Sequence, residues 1–290
     1  MSTERIRLGD HTQMLCGDDN GKYPTGNPVL VEGPEGRLVI DSALSVPIPD
    51  VDLVVLSHYH EDHTAGLPSR PDLKVQIHEA DLKPVSDVDA FFETGGFDEP
   101  QFRKELQEKY EHGPIPQATA LAMTPIDLGG GVFVTPVHLP GHTAGHCGYL
   151  IEPDGVFFTA DVDLSSFGPF YGDVHSSSLV DFRESLRRSA ETDAAVYSTY
   201  HHKREVRDAA TYQRMLAAFT SVIDERSERV LDLLASPQSA AELVGKGVVY
   251  RPGNVPSYAV TSERAMTQLH LDELHEEGRV LRENGRYRRA

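Results

Sequence analysis

The chain of 290 residues contains no tryptophan, only five methionines and only two cysteines. Cys16 and Cys147 cannot build a disulfide framework, and their spacing does not resemble a thiolate metal site. Cys147 adjoins His146 and reads first as a small buried packing residue. No apolar stretch approaches the ~18 residues of a membrane span. The opening Met1-Ser2-Thr3-Glu4-Arg5-Ile6-Arg7-Leu8 lacks an apolar signal region, so the expectation is a cytoplasmic protein with no membrane partner. Also missing are a Gly-x-Ser-x-Gly elbow, a P-loop and a Gly-x-Gly-x-x-Gly turn after a strand, which argues against a serine nucleophile or a nucleotide cofactor. Basic side chains are scarce: 27 Lys and Arg stand against 45 Asp and Glu, for a net charge of −18. Residues 236–290 hold eight basic against seven acidic residues, so nearly all of that charge sits before them. Such a body repels phosphate polymers, and the expected partner is a small molecule rather than nucleic acid.

Histidine is plentiful, and its placement is informative. Ser57-His58-Tyr59-His60-Glu61-Asp62-His63-Thr64 follows the apolar run Val51–Leu56. Side chains alternate along extended backbone, so a strand ending at Ser57 would hold His58 and His60 on one side. Asp62 and His63, in what reads as a first helical turn, suit a second ion close by. Three further islands each end a β-like run with a ligand type. Leu139-Pro140-Gly141-His142-Thr143-Ala144-Gly145-His146 follows Val132–Val137, Asp161 closes Val156–Ala160, and His201-His202 closes Ala194–Tyr200. Four strands delivering ligands at one end is how a rigid scaffold assembles a site from distant sequence.

Taken in this order, the islands resemble those of the metallo-β-lactamase-fold hydrolases over residues 1 to about 220. The resemblance implies an α/β fold, an αββα sandwich, holding two divalent metal ions, with zinc expected first and iron or manganese as alternatives. It implies one ion on His58, His60 and His142, a second on Asp62, His63 and His201, and Asp161 bridging them; Asp62 and Asp161 are the expected catalytic carboxylates. This chain departs from the family at Tyr200-His201-His202-Lys203, where Gly-His-Gly is usual, so His202 competes with His201. It also has Asp41-Ser42-Ala43 in place of Asp-Thr-Gly. Asp41 and His146 read as residues that orient ligands.

Residues 81–120 read as a helical insert, with Gln101–Tyr110 an exposed charged helix, and this segment is either a lid or a solvated decoration. The Gly/Pro/aromatic loop 164–175 offers Tyr171 and His175 as substrate-binding groups. From about 218 onward, helical spacing to Leu234, a short helix at Ser239–Val244, a long helix over Tyr258–Glu277 and an Asn284-Gly285 turn make a winged-helix pattern. The domains are therefore expected at 1–217 and 218–290. The tail resembles the C-terminal winged helix of one branch of the family, which includes hydroxyacylglutathione-hydrolase-like enzymes, acyl-carrier thioesterases and a ribonuclease. Its recognition helix is acidic, which favours covering the substrate cleft or forming homodimer contacts over binding DNA. Two ions bridged by Asp161 would activate a water for attack on a small thioester or lactone. A phosphodiesterase acting on RNA is the alternative, and a metal-binding winged-helix regulator without turnover is a third reading.

Overall fold

The computed structural model describes residues 4–97, 100–202, 205–256 and 259–290. The strands β1 (Arg5–Arg7), β2 (Thr12–Leu15), β3 (Val29–Glu32), β4 (Arg37–Ile40), β5 (Leu53–Val55), β6 (Val75–Ile77) and β7 (Thr119–Ala120) form one sheet in sequence order. Its first four strands pair antiparallel, and β4 to β7 pair parallel. The second sheet runs β13-β12-β11-β10-β9-β8, built from β8 (Ile126–Asp127), β9 (Phe133–His138), β10 (Cys147–Glu152), β11 (Val156–Phe158), β12 (Val196–Ser198) and β13 (Glu205–Val206).

Period-two alternation explains why the sheets stack. Tyr149, Ile151 and Phe158 enter the core shared with the first sheet, whereas Leu150 and Phe157 point to the opposite side. There they meet α5 (Leu179–Glu191) and α6 (Ala209–Leu233), whose Leu179, Phe182, Leu186, Tyr212, Leu216 and Phe219 form a second core. After a single turn α1 (Asp18–Gly21), the helices α2 (Glu79–Ser86), α3 (Val88–Gly95) and α4 (Pro100–Lys109) connect the parallel strands β6 and β7. A crossover between parallel strands must lie over a sheet face, and the inner face is occupied, so the layers run helix, sheet, sheet, helix. The expected αββα sandwich is therefore present.

The C-terminal residues pack the end of α6 with α7 (Ala240–Leu243), α8 (Val260–Glu276) and the hairpin β14 (Val280–Glu283), β15 (Arg286–Arg289) around Val230, Leu243, Leu271, Leu274 and Tyr287. The expected boundary at 217/218 falls inside α6. That helix gives Tyr212, Leu216, Phe219 and Ile223 to one core and Val230 and Leu231 to the next, so the two parts share a continuous helix rather than a linker. Tyr258, expected to begin the long helix, lies outside the described residues, and α8 begins at Val260.

Candidate metal centre

The strand ahead of the first histidine island stops at Val55, two residues sooner than its apolar pattern suggested. Asp62 and His63 do not start a helix: the backbone turns once, with the His63 amide donating to the His60 carbonyl at 3.1 Å and Thr64 to Glu61 at 3.3 Å. This turn puts His58 and His60 beside His142. The Nε2 of His58, the Nδ1 of His60 and the Nε2 of His142 lie 2.9, 3.0 and 3.1 Å apart. A tetrahedral set of bonds of about 2.0–2.1 Å would space its ligand atoms by roughly 3.3 Å, close to this triangle.

The second cluster shares Asp161 with the first. Its Oδ1 lies 3.0 Å from His63 Nε2 and 3.8 Å from His201 Nε2, while its Oδ2 lies 3.4 Å from His142 Nε2. Asp62 Oδ2 completes this cluster at 3.0 Å from His201 Nε2 and 3.9 Å from His63 Nε2. Among the described residues, three sets have ligand atoms close enough for one ion: His58 with His60 and His142, His58 with His63 and Asp161, and Asp62 with His63 and His201. All seven sequence-expected ligands are thus brought together. His202 is not in any of these sets; it is exposed, with φ at 54°, while His201 is 6% exposed.

A test of fit comes from polar atoms with nothing to bond. The buried His63 Nε2 and Asp161 Oδ1 lie 3.0 Å apart without forming a hydrogen bond and have no other partner, a cost of about 1–3 kcal/mol for each such group unless something else satisfies it. Nitrogen and carboxylate donors converging on the same point suit a divalent cation of the zinc, iron or manganese kind. Left-handed backbone at Asp41, Ala160 and His202, with φ of 63°, 46° and 54°, surrounds the clusters; such non-glycine residues persist only where the surroundings impose them.

Each candidate histidine ligand is fixed from behind by a named partner. Asp41 Oδ2 lies 2.9 Å from His63 Nδ1 and accepts from Ser57 Oγ at 2.8 Å, and Ser57 Oγ in turn lies 3.0 Å from His58 Nδ1. His142 Nδ1 donates to the Phe170 carbonyl at 2.8 Å, and His201 Nδ1 to the Gly21 carbonyl at 2.7 Å. His146 stays out of the clusters: its Nδ1 meets the Leu139 carbonyl, and its Nε2 accepts the Asp161 amide at 3.3 Å. Cys147 is fully buried and packs in the core.

Electrostatics divides the histidines. Burial pushes His142 down to about 4 and His146 to about 3. Burial also opposes charge on His60 and His201, but Asp173 with Glu61 and Asp62 outweighs it at His60, and Asp161 with Asp62 outweighs it at His201, so both rise to about 9. Without an ion, protons on these two rings neutralise the carboxylates. Ion binding must displace them.

Asp173, in the loop before α5, was not singled out in the sequence. Its Oδ2 lies 2.8 Å from His60 Nε2 and accepts the Tyr59 hydroxyl at 2.6 Å. Tyr171 and His175, singled out instead, are not brought to the site. Tyr171 is fully buried, with its hydroxyl 2.7 Å from His270 Nε2, and His175 is exposed outside the cavity lining. An aspartate in a Gly/Pro/aromatic loop, able to orient a ligating imidazole, was the available signal. Lys203 and Arg204, whose charge beside His201 and His202 would suit contacts to an anionic substrate, lie outside the described residues.

A cavity of ≈ 290 Å³ opens on the clusters, lined by His60, Asp62, His142, Asp161 and His201. Its remaining wall is rich in aromatic rings: Tyr23 from the early loop, Phe97 and Phe102 from the α3–α4 segment, Phe167 and Phe170 from the loop after Asp161, and Tyr250 from the C-terminal part. Tyr23 also donates to Glu61 Oε1 at 2.9 Å. Among the described lining residues there is no Lys or Arg.

Comparison with known proteins agrees with this geometry. The Metallo-beta-lactamase superfamily model matches residues 24–202. The chain is similar to the probable metallo-hydrolase YqjP of Bacillus subtilis, 26% identical over 181 residues, 55% of this chain and 57% of that protein. It is also similar to the atrochrysone carboxyl ACP thioesterase of Aspergillus fumigatus, 25% identical over 261 residues, 86% of this chain and 48% of that protein. The chain spans about half the length of the curated relatives it matches. Among solved structures, a metallo-beta-lactamase family protein from Thermus thermophilus superposes with a TM-score of 0.74 at 24% identity, over 98% of this chain and 100% of that one. A beta-lactamase domain protein from Burkholderia ambifaria gives 0.69 at 20% identity, over 100% and 94%.

Proposed function

The chain belongs to the metallo-beta-lactamase superfamily, and from that premise we propose a two-metal hydrolase acting on a small, uncharged thioester or lactone with an apolar acyl group. The observation that carries this reading is the aromatic cavity over the two clusters, without a basic residue among its described lining. Divalent ions in such clusters supply water activation and Lewis-acid polarisation of a carbonyl. The protein's part is to hold and place. His58, His60 and His142 would bind one ion, Asp62, His63 and His201 the other, and Asp161, with one oxygen toward each cluster, would bridge them.

The aromatic rings would take the acyl part by apolar burial and exclude water around the scissile bond. We read the C-terminal part as a winged-helix-like cover for the cleft, because Tyr250, Ala259 and Ser262 line the cavity. A phosphodiester polymer fits less well: it would meet Glu61, Asp62, Asp161, Asp163 and Asp173 with no described cation in the wall to neutralise its backbone. That the thioesterase from Aspergillus fumigatus is similar over most of this chain supports the thioester choice.

A substrate panel tests the reading. Metal-loaded protein is assayed on an aryl or acyl thioester, a homoserine lactone, a β-lactam, a bis-aryl phosphodiester and a short RNA, beside Asp161→Ala. Thioester or lactone turnover should exceed the others and vanish in the variant. RNA cleavage that dominates the panel and falls steeply with salt would replace this reading with the phosphodiesterase.

A further inference from the structure

Arg226, in the second half of α6, is 1% exposed and has no ion pair with a carboxylate among the described residues. Burying an unpaired guanidinium costs several kcal/mol unless its donors find strong acceptors. Here the two terminal nitrogens find one loop, while the buried Nε has no hydrogen-bond partner. Nη2 donates to the Phe167 carbonyl at 2.6 Å, and Nη1 to the Pro169 carbonyl and, at 3.1 Å, to the Tyr171 hydroxyl. The guanidinium also lies 5.1 Å from the Phe167 ring centre and 5.5 Å from that of Tyr171. Every second residue from 167 to 171 is thus held by a single side chain from the C-terminal part.

The hydrogen bonds continue in one direction. Tyr171, accepting from Arg226, donates to His270 Nε2 at 2.7 Å, and His270 Nδ1 donates to Ser227 Oγ at 2.9 Å. Burial, with Arg226 and Arg183 adding to it, pushes His270 down to about 3, so it is the neutral ring this chain requires. The loop also lies close against both helices: a Cβ on Gly168 would fall 2.5 Å from Val222 of α6, and one on Gly172 2.6 Å from Ser262 of α8.

The same loop supports one cluster only. The Phe170 carbonyl accepts from His142, and Asp173 holds His60. In the other cluster, His63 rests on Asp41 and His201 on the Gly21 carbonyl, neither of which belongs to the loop. We propose that Arg226 is a positioning residue through which the C-terminal part sets the geometry of the His58–His60–His142 site, leaving the Asp62–His63–His201 site independent. The proposal rests on the two-ion reading given above, and it assigns the C-terminal part a duty beyond lining the cavity.

The test compares the full chain with Arg226→Met and Arg226→Lys. Metal-free protein is titrated with Co(II) against a competing chelator, and amide hydrogen exchange is followed in the same metal-free samples. In Arg226→Met one ion should bind 10- to 100-fold more weakly, as loss of an outer partner of a ligand does, while the other changes little. The retained ion should be abolished by adding His201→Ala and unaffected by adding His60→Ala. Exchange should quicken at residues 167–173 and not at Asp41 or His63. Arg226→Lys, keeping the charge without the planar fork, should fall between and serves if Arg226→Met does not fold. Equal weakening of both ions, or wild-type affinities and exchange, would overturn the proposal. If the unaltered chain takes up fewer than two ions, the two-ion reading fails on its own, and the exchange data still decide whether Arg226 holds the loop.

Discussion

At the scale of single residues, the choice between His201 and His202 has a clear physical basis. His201 is buried, its Nδ1 committed to the Gly21 carbonyl and its Nε2 turned to Asp62, whereas His202 is exposed at the cavity edge. Alanine at 201 should remove one ion and lower turnover at least 100-fold, and alanine at 202 should leave both ions bound. Metal content of the two purified variants decides between them, and the reverse outcome would exchange their roles. Ligands were legible in the sequence because several donors were crowded into short islands after strand-like runs. Asp173 and Tyr171 were not, because an irregular loop has no period to say which side chain faces in. That is settled by Arg226 and His270, which lie 55 and 99 positions beyond Tyr171 in the chain.

At the scale of elements, α4 is docked rather than loose. Leu106 is fully buried, and Arg103 lies 4.3 Å from the centre of the Phe92 ring of α3. Phe102, on the same helix, and Phe97 just before it line the cavity, which favours the lid over the solvated decoration. Replacing Phe102 by alanine should raise KM on the order of fivefold to tenfold for a bulky acyl substrate, with kcat and both ions little changed. Steady-state kinetics on short and bulky thioesters checks this; a kcat loss without a KM change would place Phe102 elsewhere in the chemistry. The sandwich was readable through the order of the ligand islands, whose resemblance to the family implied it, and the alternation of β10 and β11 between two cores is its physical basis in the fold. Strand ends and the turn at residues 61–63 were less so, because groups distant in the chain fix them: Ser42 donates to the His63 carbonyl and Tyr200 to that of Asp62.

At the scale of the whole molecule, the domain limit was the least legible feature. The helical spacing that suggested a new unit near 218 belongs to α6, which begins at Ala209 and serves two cores in turn. On the proposed reading, the net charge of −18 and the carboxylates lining the cavity work against a polyanionic substrate, and divalent cations would take over from protons the offsetting of the carboxylates at the centre. The most direct measurement is therefore elemental analysis of the reconstituted full chain beside His58→Ala/His60→Ala. The account predicts about two divalent ions per chain and the loss of at least one in the double variant. A content near zero after reconstitution, or an unchanged content in the double variant, would contradict it.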